Sequence, residues 1–574
     1  MGTRISPFDS QVDSTKTLIP LDFGFGPAVQ SLPCAAPLAS GETTGRERPL
    51  SNTQAGLLGV RGLSLTHALA PCVIRAWTEE MERRMNPRLP LVLLEFNELT
   101  PALMDRFIAE GKLSNFARLR AGSQVFTSDA EEQEPYLEPW IQWVTVHTGV
   151  PYSQHGIFRL SQGHKLRHSN VWDLVSQQGH PVWVCGSMNA NCGTGTQGYL
   201  LPDPWSADLA PQPAALLPYF RFVQQNVREH TNDRVPLSKG DYLRFLRFMI
   251  AHGLSADSVV SIFRQLLSEK RTRTGRWRRA FVLEKLQFDV FRAVFRRVKP
   301  AFSTFFLNST AYLQHRYWRY MEPELFTLPL DQDKKLEYES SILEGYQAMD
   351  ELLGRLLALV GQQAIVVLAT GLSQQPCLRF EQAGGKRAYR PKDFARFLSF
   401  AGITSPCRAE PVMAEQFWLR LDNISEATGV ETKLAALKVG QERALSAKRD
   451  GSAVFAGCSI HHALPQDATL RVENSGQSIP FFDLFYSPGE GGKSGMHHPD
   501  GILWIRHPSQ THKVHEARVP LLSVAPTILD LLGIDKPGYM SGESLLRNPL
   551  GRPVSGQDAD SAAHSMEHAQ PRSA

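Results

Sequence analysis

Five short runs, each apolar nearly throughout, constrain this chain more than any other feature: LVLLEF at Leu91–Phe96, PVWVC at 181–185, TFFL at 304–307, AIVVLA at 364–369 and ILWI at 502–505. None alternates between apolar and polar residues, so none suits a strand with one wet face. Runs of this length fit strands of a parallel sheet covered on both sides. Between them lie helical patterns. PALMDRFIAE, at 101–110, spaces its apolar residues at helical intervals with charges between, and EYESSILEGYQAMDELLGRLLAL, at 337–359, is a long amphipathic helix immediately before AIVVLA. Strands alternating with helices predict a doubly wound α/β sheet, mostly parallel and sandwiched by helices.

Two stretches interrupt the alternation, about 205–300 (helical and basic) and about 405–480 (mixed and turn-rich), and both read as insertions near the active-site face. Between 264 and 299 there are 12 Lys/Arg against three Asp/Glu, in a chain whose net charge is only +4, so the remainder is net acidic. In that stretch Phe281, Leu283, Leu286, Phe288, Val290, Phe291, Val294 and Phe295 form a broad apolar stripe. Such a helix either packs on the core with a solvated basic face, or forms an electropositive rim for an anionic substrate, membrane surface or polymer. The overall charge gives no reason to expect a specific nucleic-acid partner.

Residues 1–85 mix Pro, Gly, Ser and Thr with short apolar patches and no sustained period, and read as a disordered extension; 551–574 read as a polar disordered tail. MNPRLPLVLLEF runs directly into the first strand, so translation from Met81 or Met85 is a second reading of the leader. The domain itself is expected over 86–550. Seven cysteines at scattered positions, none in a C-x-x-C pair, argue against a disulfide framework or a zinc finger. With no apolar secretory core at the start and no run long enough to span a bilayer, a cytoplasmic location without a transmembrane segment is expected.

Several segments carry a family resemblance. VLLEFNELTPALMDRFIAEGKLSNFARLRAGS has the form strand, acidic loop, helix. EPWIQWVTVHTGVPYSQHGIF contains Thr148, Gly149, Pro151, His155, Gly156 and Ile157 in a TG…P…HGI pattern. FFLNSTAYLQHRYWRYMEPE occupies mid-chain, and SGMHHPDGILWI followed by VPLLSVAPTILDLLGI closes the domain. In this order they resemble the type I phosphodiesterase/nucleotide pyrophosphatase branch of the alkaline phosphatase superfamily. The resemblance implies an alkaline-phosphatase-like fold, a pair of divalent ions, usually zinc, held by Asp and His, and a Thr or Ser nucleophile attacking phosphorus.

Carried over residue by residue, the implied site is degenerate. The opening Asp falls on Asn97, followed by Glu98. The nucleophile falls near Glu138–Pro139, where there is no hydroxyl; Thr145 is the nearest. The mid-chain Asp falls on Ala311, while its partner is kept as His315. The Asp–His pair after AIVVLAT falls on Thr370 and Gly371, and the late histidine is kept as His497. The expected metal ligands are therefore His315, His497, Asn97 and Glu98, with Glu138, His315 and His497 as catalytic candidates. Asn97 and Gln374 are candidates for binding substrate. His147 is expected to pack or hydrogen-bond locally. Two functions are compatible with this set. One is a phosphatase- or phosphodiesterase-like hydrolase or transferase, acting on a small anionic phosphate or sulfate ester or a glycan phosphate through a single-metal site. The other is a catalytically inactive relative that binds an anionic ligand or a partner.

Overall fold

The structure, a computed structural model, describes residues 89–546 other than 194, 207–208, 231–236, 273, 380, 384, 413–414 and 488–492. The extensions expected over 1–85 and 551–574 lie outside the described residues. Ten strands and nine helices matter for the site. The strands are β1 (Leu91–Phe96), β2 (Gln124–Asp129), β3 (Val182–Cys185), β4 (Gly198–Leu201), β5 (Phe302–Leu307), β6 (Ile365–Ala369), β7 (Ser373–Pro376), β8 (Gly495–His498), β9 (Asp500–Arg506) and β10 (Lys513–Pro520). The helices are α1 (Pro101–Ala109), α2 (Pro139–Thr148), α3 (Leu217–His230), α4 (Lys239–Ala251), α5 (Ala256–Thr272), α6 (Arg279–Val298), α7 (Ser309–Met321), α8 (Ser341–Val360) and α9 (Val524–Leu531).

Eight of these strands form one sheet in the order β10-β2-β9-β6-β1-β5-β3-β4. Pairing is parallel throughout except at β9, which runs antiparallel to both β6 and β2. The five apolar runs of the sequence all lie in this sheet, and β1 sits in its middle, buried along its whole length. Successive side chains of a strand point to opposite faces, and both faces are covered. Leu91 and Leu93 join Trp143 of α2 and Ile528 of α9 in one core. On the other face Phe96 meets Phe116 edge to face, and Phe305 of β5 packs against Phe288 and Phe291 of α6. The architecture is the mostly parallel, helix-sandwiched α/β sheet predicted from the apolar runs.

Helices α3 to α6 make up most of the described residues between Leu217 and Val298. The second insertion is wider than the 405–480 expected: described residues between Tyr389 and Phe485 share a core of their own, with Phe397, Phe417 and Phe481 at its centre. Two four-stranded antiparallel sheets surround that core. Lys165 and Gln162, both bonded to Asp450, tie it to the main sheet's loops, and Arg159 adds its guanidinium over Trp418 and Phe455. The described cysteines Cys185, Cys192, Cys377, Cys407 and Cys458 are all unpaired thiols, and among the described residues no helix is long and apolar enough to cross a membrane.

The TG…HGI pattern has a mechanical explanation. Helix α2 starts with Pro139 at its first position, where the missing N–H costs nothing. It ends at Gly149, which takes the left-handed conformation (φ 61°) and donates its N–H to the Thr145 carbonyl. A Cβ at Gly149 would lie 3.2–3.3 Å from Pro526, Ala525 and Met540, so the same glycine lets α2 approach α9. Gly156 ends the next short helix in the same left-handed way, and the His155 ring receives the Ile157 N–H. These residues build the turn that sets the direction of α2, and α2 carries two residues of the site. Gly149→Ala adds left-handed strain and crowding at once and is expected to lower the unfolding free energy by about 1–3 kcal/mol. Urea unfolding of the two proteins measures it.

Candidate metal centre

The carboxyl ends of β1, β5 and β6 converge with the start of β9, the edge at which open α/β sheets build their sites. As β1 leaves the sheet, Asn97 N–H still bonds to the carbonyl of Leu307, the last residue of β5, and Glu98 N–H bonds to the Thr370 carbonyl beyond β6. Glu98 then turns left-handed (φ 61°), a conformation that costs a non-glycine residue about 1–2 kcal/mol. Its surroundings hold it there. Gln314 donates its amide to the Glu98 carbonyl at 2.8 Å, Asn97 donates to Oε1 at 2.7 Å, and Gln374 donates to Oε2 at 2.5 Å.

Two histidines reach the same carboxylate from distant parts of the chain. His315 of α7 places Nε2 at 3.0 Å from Glu98 Oε2, and His497 of β8 places Nε2 at 3.5 Å from it. The rings lie 5.0 Å apart at 72°. One donor atom from each of the three residues falls within 4.8 Å of the others, the one such cluster of three or more His, Cys, Asp or Glu donors among the described residues.

The protonation state of this cluster follows from its partners. Burial alone would raise the Glu98 carboxyl, but the positive charges that His315 and His497 carry when protonated, with the Lys493 ammonium, outweigh it and bring it down to about 2. Burial pushes both histidines down, aided by Lys493, and His497 reaches about 3. The downward shifts of all three groups favour one carboxylate with neutral imidazoles, the form in which these groups bind metal. His315 Nδ1 lies 3.0 Å from the Gly495 carbonyl and its Nε2 lies 3.0 Å from the Glu98 carboxylate oxygen, and both partners can only accept. A neutral ring has a proton for one of them. A cation between Nε2 and the carboxylate satisfies the other, and the donor set fits a divalent ion. Two imidazoles and one carboxylate make a three-ligand zinc set with an open position.

Asn97 and Gln374 have different places from those the sequence suggested. The Asn97 amide is enclosed: its oxygen accepts the Trp143 indole N–H at 2.7 Å, and its nitrogen serves Asn308 and Glu98, each at 2.7 Å. It orients the carboxylate, and both hydrogens of its nitrogen are used within the protein. Gln374 is almost wholly buried, donating to both Glu98 and the Ala311 carbonyl at 2.9 Å, so it positions Glu98 instead of lining an open pocket. Conformation forces both outcomes, because the left-handed turn aims the side chain after Asn97, not Asn97 itself, at the two histidines.

Glu138 caps α2 with an extended backbone, yet its side chain makes no capping bond and faces His497 Nδ1 at 3.6 Å. Burial and the neighbouring Glu98 charge push its carboxyl up to about 8, against the opposing pull of Lys493 and Lys386. The nearby Thr145 hydroxyl is buried and paired with His155 at 3.3 Å. Thr370 spends its hydroxyl accepting the Ile502 N–H, and Gly371 lies against the Trp143 indole, where a Cβ would come within 3.2 Å. The indole packs on the Asn97 side, and Asn97, Thr370 and Gly371 offer no carboxylate or imidazole there. His147 pairs with Glu95 at 2.7 Å in full burial between Trp143 and Trp172, a local partnership.

Four residues important here escaped sequence reasoning: Trp143, Asn308, Gln314 and Lys493. Only Gln314 and Lys493 carried a signal, as near neighbours of His315 and His497. The close packing of β8 is also hidden in the sequence. A Cβ on Gly495 would lie 2.5 Å from both the Gln314 carbonyl and Gln374 Oε1, so a glycine is needed where β8 passes under the cluster.

Fold and site together define a doubly wound α/β protein with one three-ligand candidate metal centre. No protein-family model matches the chain, and no curated protein matches it. Among solved structures, the crystal structure of a mutant of the alkaline phosphatase PafA aligns with 80% of this chain and 98% of its own, at 13% identity and a TM-score of 0.40. At that level the chemistry of the site has to be read from this chain's own residues.

The Glu138 carboxyl supplies a pH test. Its folded value lies above the ordinary carboxylate value of 4.5, so between 4.5 and about 8 the unfolded chain has lost a proton that the folded chain keeps. Stability from this group is complete below 4.5 and is lost as pH rises toward 8. In metal-free protein, Glu138→Gln is expected to melt progressively higher than wild type as pH goes from 5 to 8. A constant difference across thermal scans over that range would contradict the assignment.

Proposed function

We propose that this chain is an alkaline-phosphatase-like protein that acts on phosphate or sulfate esters, as a hydrolase or transferase, through a single divalent ion held by Glu98, His315 and His497. The observation that supports this reading is the convergence of the Glu98 carboxylate with the His315 and His497 imidazoles, whose donor atoms lie within 4.8 Å of one another with His315 Nε2 turned to the Glu98 oxygen. Zinc suits the donors best. When bound, the ion supplies Lewis acidity toward an ester oxygen.

The chain's own groups do the rest. Glu98 is locked by Asn97 and Gln374, so its oxygen does not wander. His315 is fixed by the Gly495 carbonyl, and such outer partners set ring orientation and ligand basicity. Lys493, whose charge is felt at Glu98, Glu138, His315 and His497, offers an ammonium to a non-bridging ester oxygen. Glu138 holds its proton at neutral pH and sits at the start of α2 where the resemblance expects a hydroxyl. In this role it gives its proton to the departing oxygen as water attacks, and the Glu138 carboxylate so formed takes up the proton that water releases.

A second reading has its own support. The Glu138–Pro139 start of α2 offers no nucleophile, and Thr145 is occupied by His155, which favours a non-catalytic protein that uses the same centre to bind an anionic ligand.

Metal analysis separates the readings from a metal-free protein, and turnover separates them from each other. Purified wild type is expected to carry stoichiometric zinc or manganese and to turn over an aryl phosphate mono- or diester or a sulfate ester. His315→Ala and His497→Ala should lose the metal, and Gln374→Leu should bind it about 10–100-fold more weakly. Metal bound without turnover on any of these esters would favour the binding reading, and wild type free of metal would remove both.

A further inference from the structure

The helices before α6 present an unusual outer surface. Helix α4 packs Phe245 and Phe248 against Tyr219 of α3, and stacks Phe245 on Phe222. Its opposite side leaves Leu243 58% and Ile250 65% exposed, seven residues apart and so on one face. On α5, Val260, Phe263 and Leu267 recur at helical spacing and are 42%, 59% and 49% exposed. A single exposed apolar residue needs no explanation. Two stripes of them on consecutive helices do.

The charges on the two helices are sorted by side. The acids are occupied within the protein: Asp257 with Lys285 and Arg355, Glu269 with Arg279, and Asp241 with Ser238 and Arg244 at the start of α4. Arg247, Arg264, Lys270 and Arg271 stand exposed beside the apolar stripes, with no ion-pair partner among the described residues. The platform beneath is firm. Ser255 and Ser258 both donate to the buried Asp289 of α6, and Arg292 of α6 holds the Gly253 carbonyl in the α4–α5 turn.

We propose that the outer face of α4 and α5 is a docking surface for an anionic lipid bilayer. Phe263, Leu267 and Ile250 enter the interface between headgroups and acyl chains, while Arg247, Arg264, Lys270 and Arg271 meet lipid phosphates and carboxylates. The two kinds of exposed residue single out this partner. A polyanion would use the cations but gain little from Phe263 and Ile250. A second copy of the chain, paired face to face, would set these cations against themselves. The proposal is independent of the metal centre and gives the basic helical stretch a function of its own.

Flotation of the full chain with vesicles tests it. Binding is expected to phosphatidylcholine vesicles containing phosphatidylserine, to be weak with phosphatidylcholine alone, and to fall steeply with added salt. Arg247→Glu/Arg264→Glu and, separately, Ile250→Ser/Phe263→Ser should each weaken binding about tenfold or more. Thermal midpoints like that of wild type would show that both variants fold. Vesicle binding unchanged in the apolar variant, with equal retention on heparin, would make the face a polyanion site and overturn the proposal. So would wild-type dimers in sedimentation that Phe263→Ser converts to monomers, or no affinity for either kind of vesicle.

Discussion

The Glu98 carboxylate is the interaction on which the rest of this site depends. It is an ionised group in full burial, and such a group persists only if its desolvation is offset by specific partners. Those partners come from four separate segments: Asn97 from the same loop, Gln374 from β7, His315 from α7 and His497 from β8. The left-handed backbone at Glu98 is strain held in place by the same contacts. Removing the carboxylate would leave amide donors and imidazoles aimed at nothing, so the sheet edge is organised around one charge.

The same arrangement explains why the neighbouring space is closed. The Trp143 indole donates to Asn97 and lies against Gly371. A larger residue at 371 would collide with the indole, and an amide at 97 satisfies the indole N–H. Asn97, Trp143 and Gly371 thus form a packed unit beside the metal donors. Asn97, Thr370 and Gly371 are bonded and packed on one side of the candidate site, beside Glu98, His315 and His497.

The two surfaces discussed, the carboxyl edge of the sheet and the outer face of α4 and α5, differ in how they use charge. At the sheet edge, charges are buried, few and mutually compensated. On the helices the acids are absorbed into bonds within the protein, and the cations are left beside apolar side chains. Helix α6 belongs to both regions. Its Phe288 and Phe291 pack on the central sheet, Glu284 accepts from the Ser309 N–H at the start of α7, and Asp289 anchors α5.

The layers of the fold were readable in the sequence, because a strand covered on both faces must be apolar at every position and an amphipathic helix must repeat at its own period. His315 and His497 stood out in the sequence too, and the structure brings both to Glu98. The sequence placed Asn97 and Glu98 side by side without deciding which would face the histidines. That choice turned on a single backbone torsion, set by hydrogen bonds to Thr370 and Gln314 more than 200 residues away. The enclosure of Gln374, the indole beside Asn97 and the reach of Lys493 are likewise contacts between distant segments, which no local pattern records. Periodicity determined the architecture because burial acts on every residue of an element. Tertiary structure alone decided the chemistry at the sheet edge, because there the outcome depends on which few atoms meet.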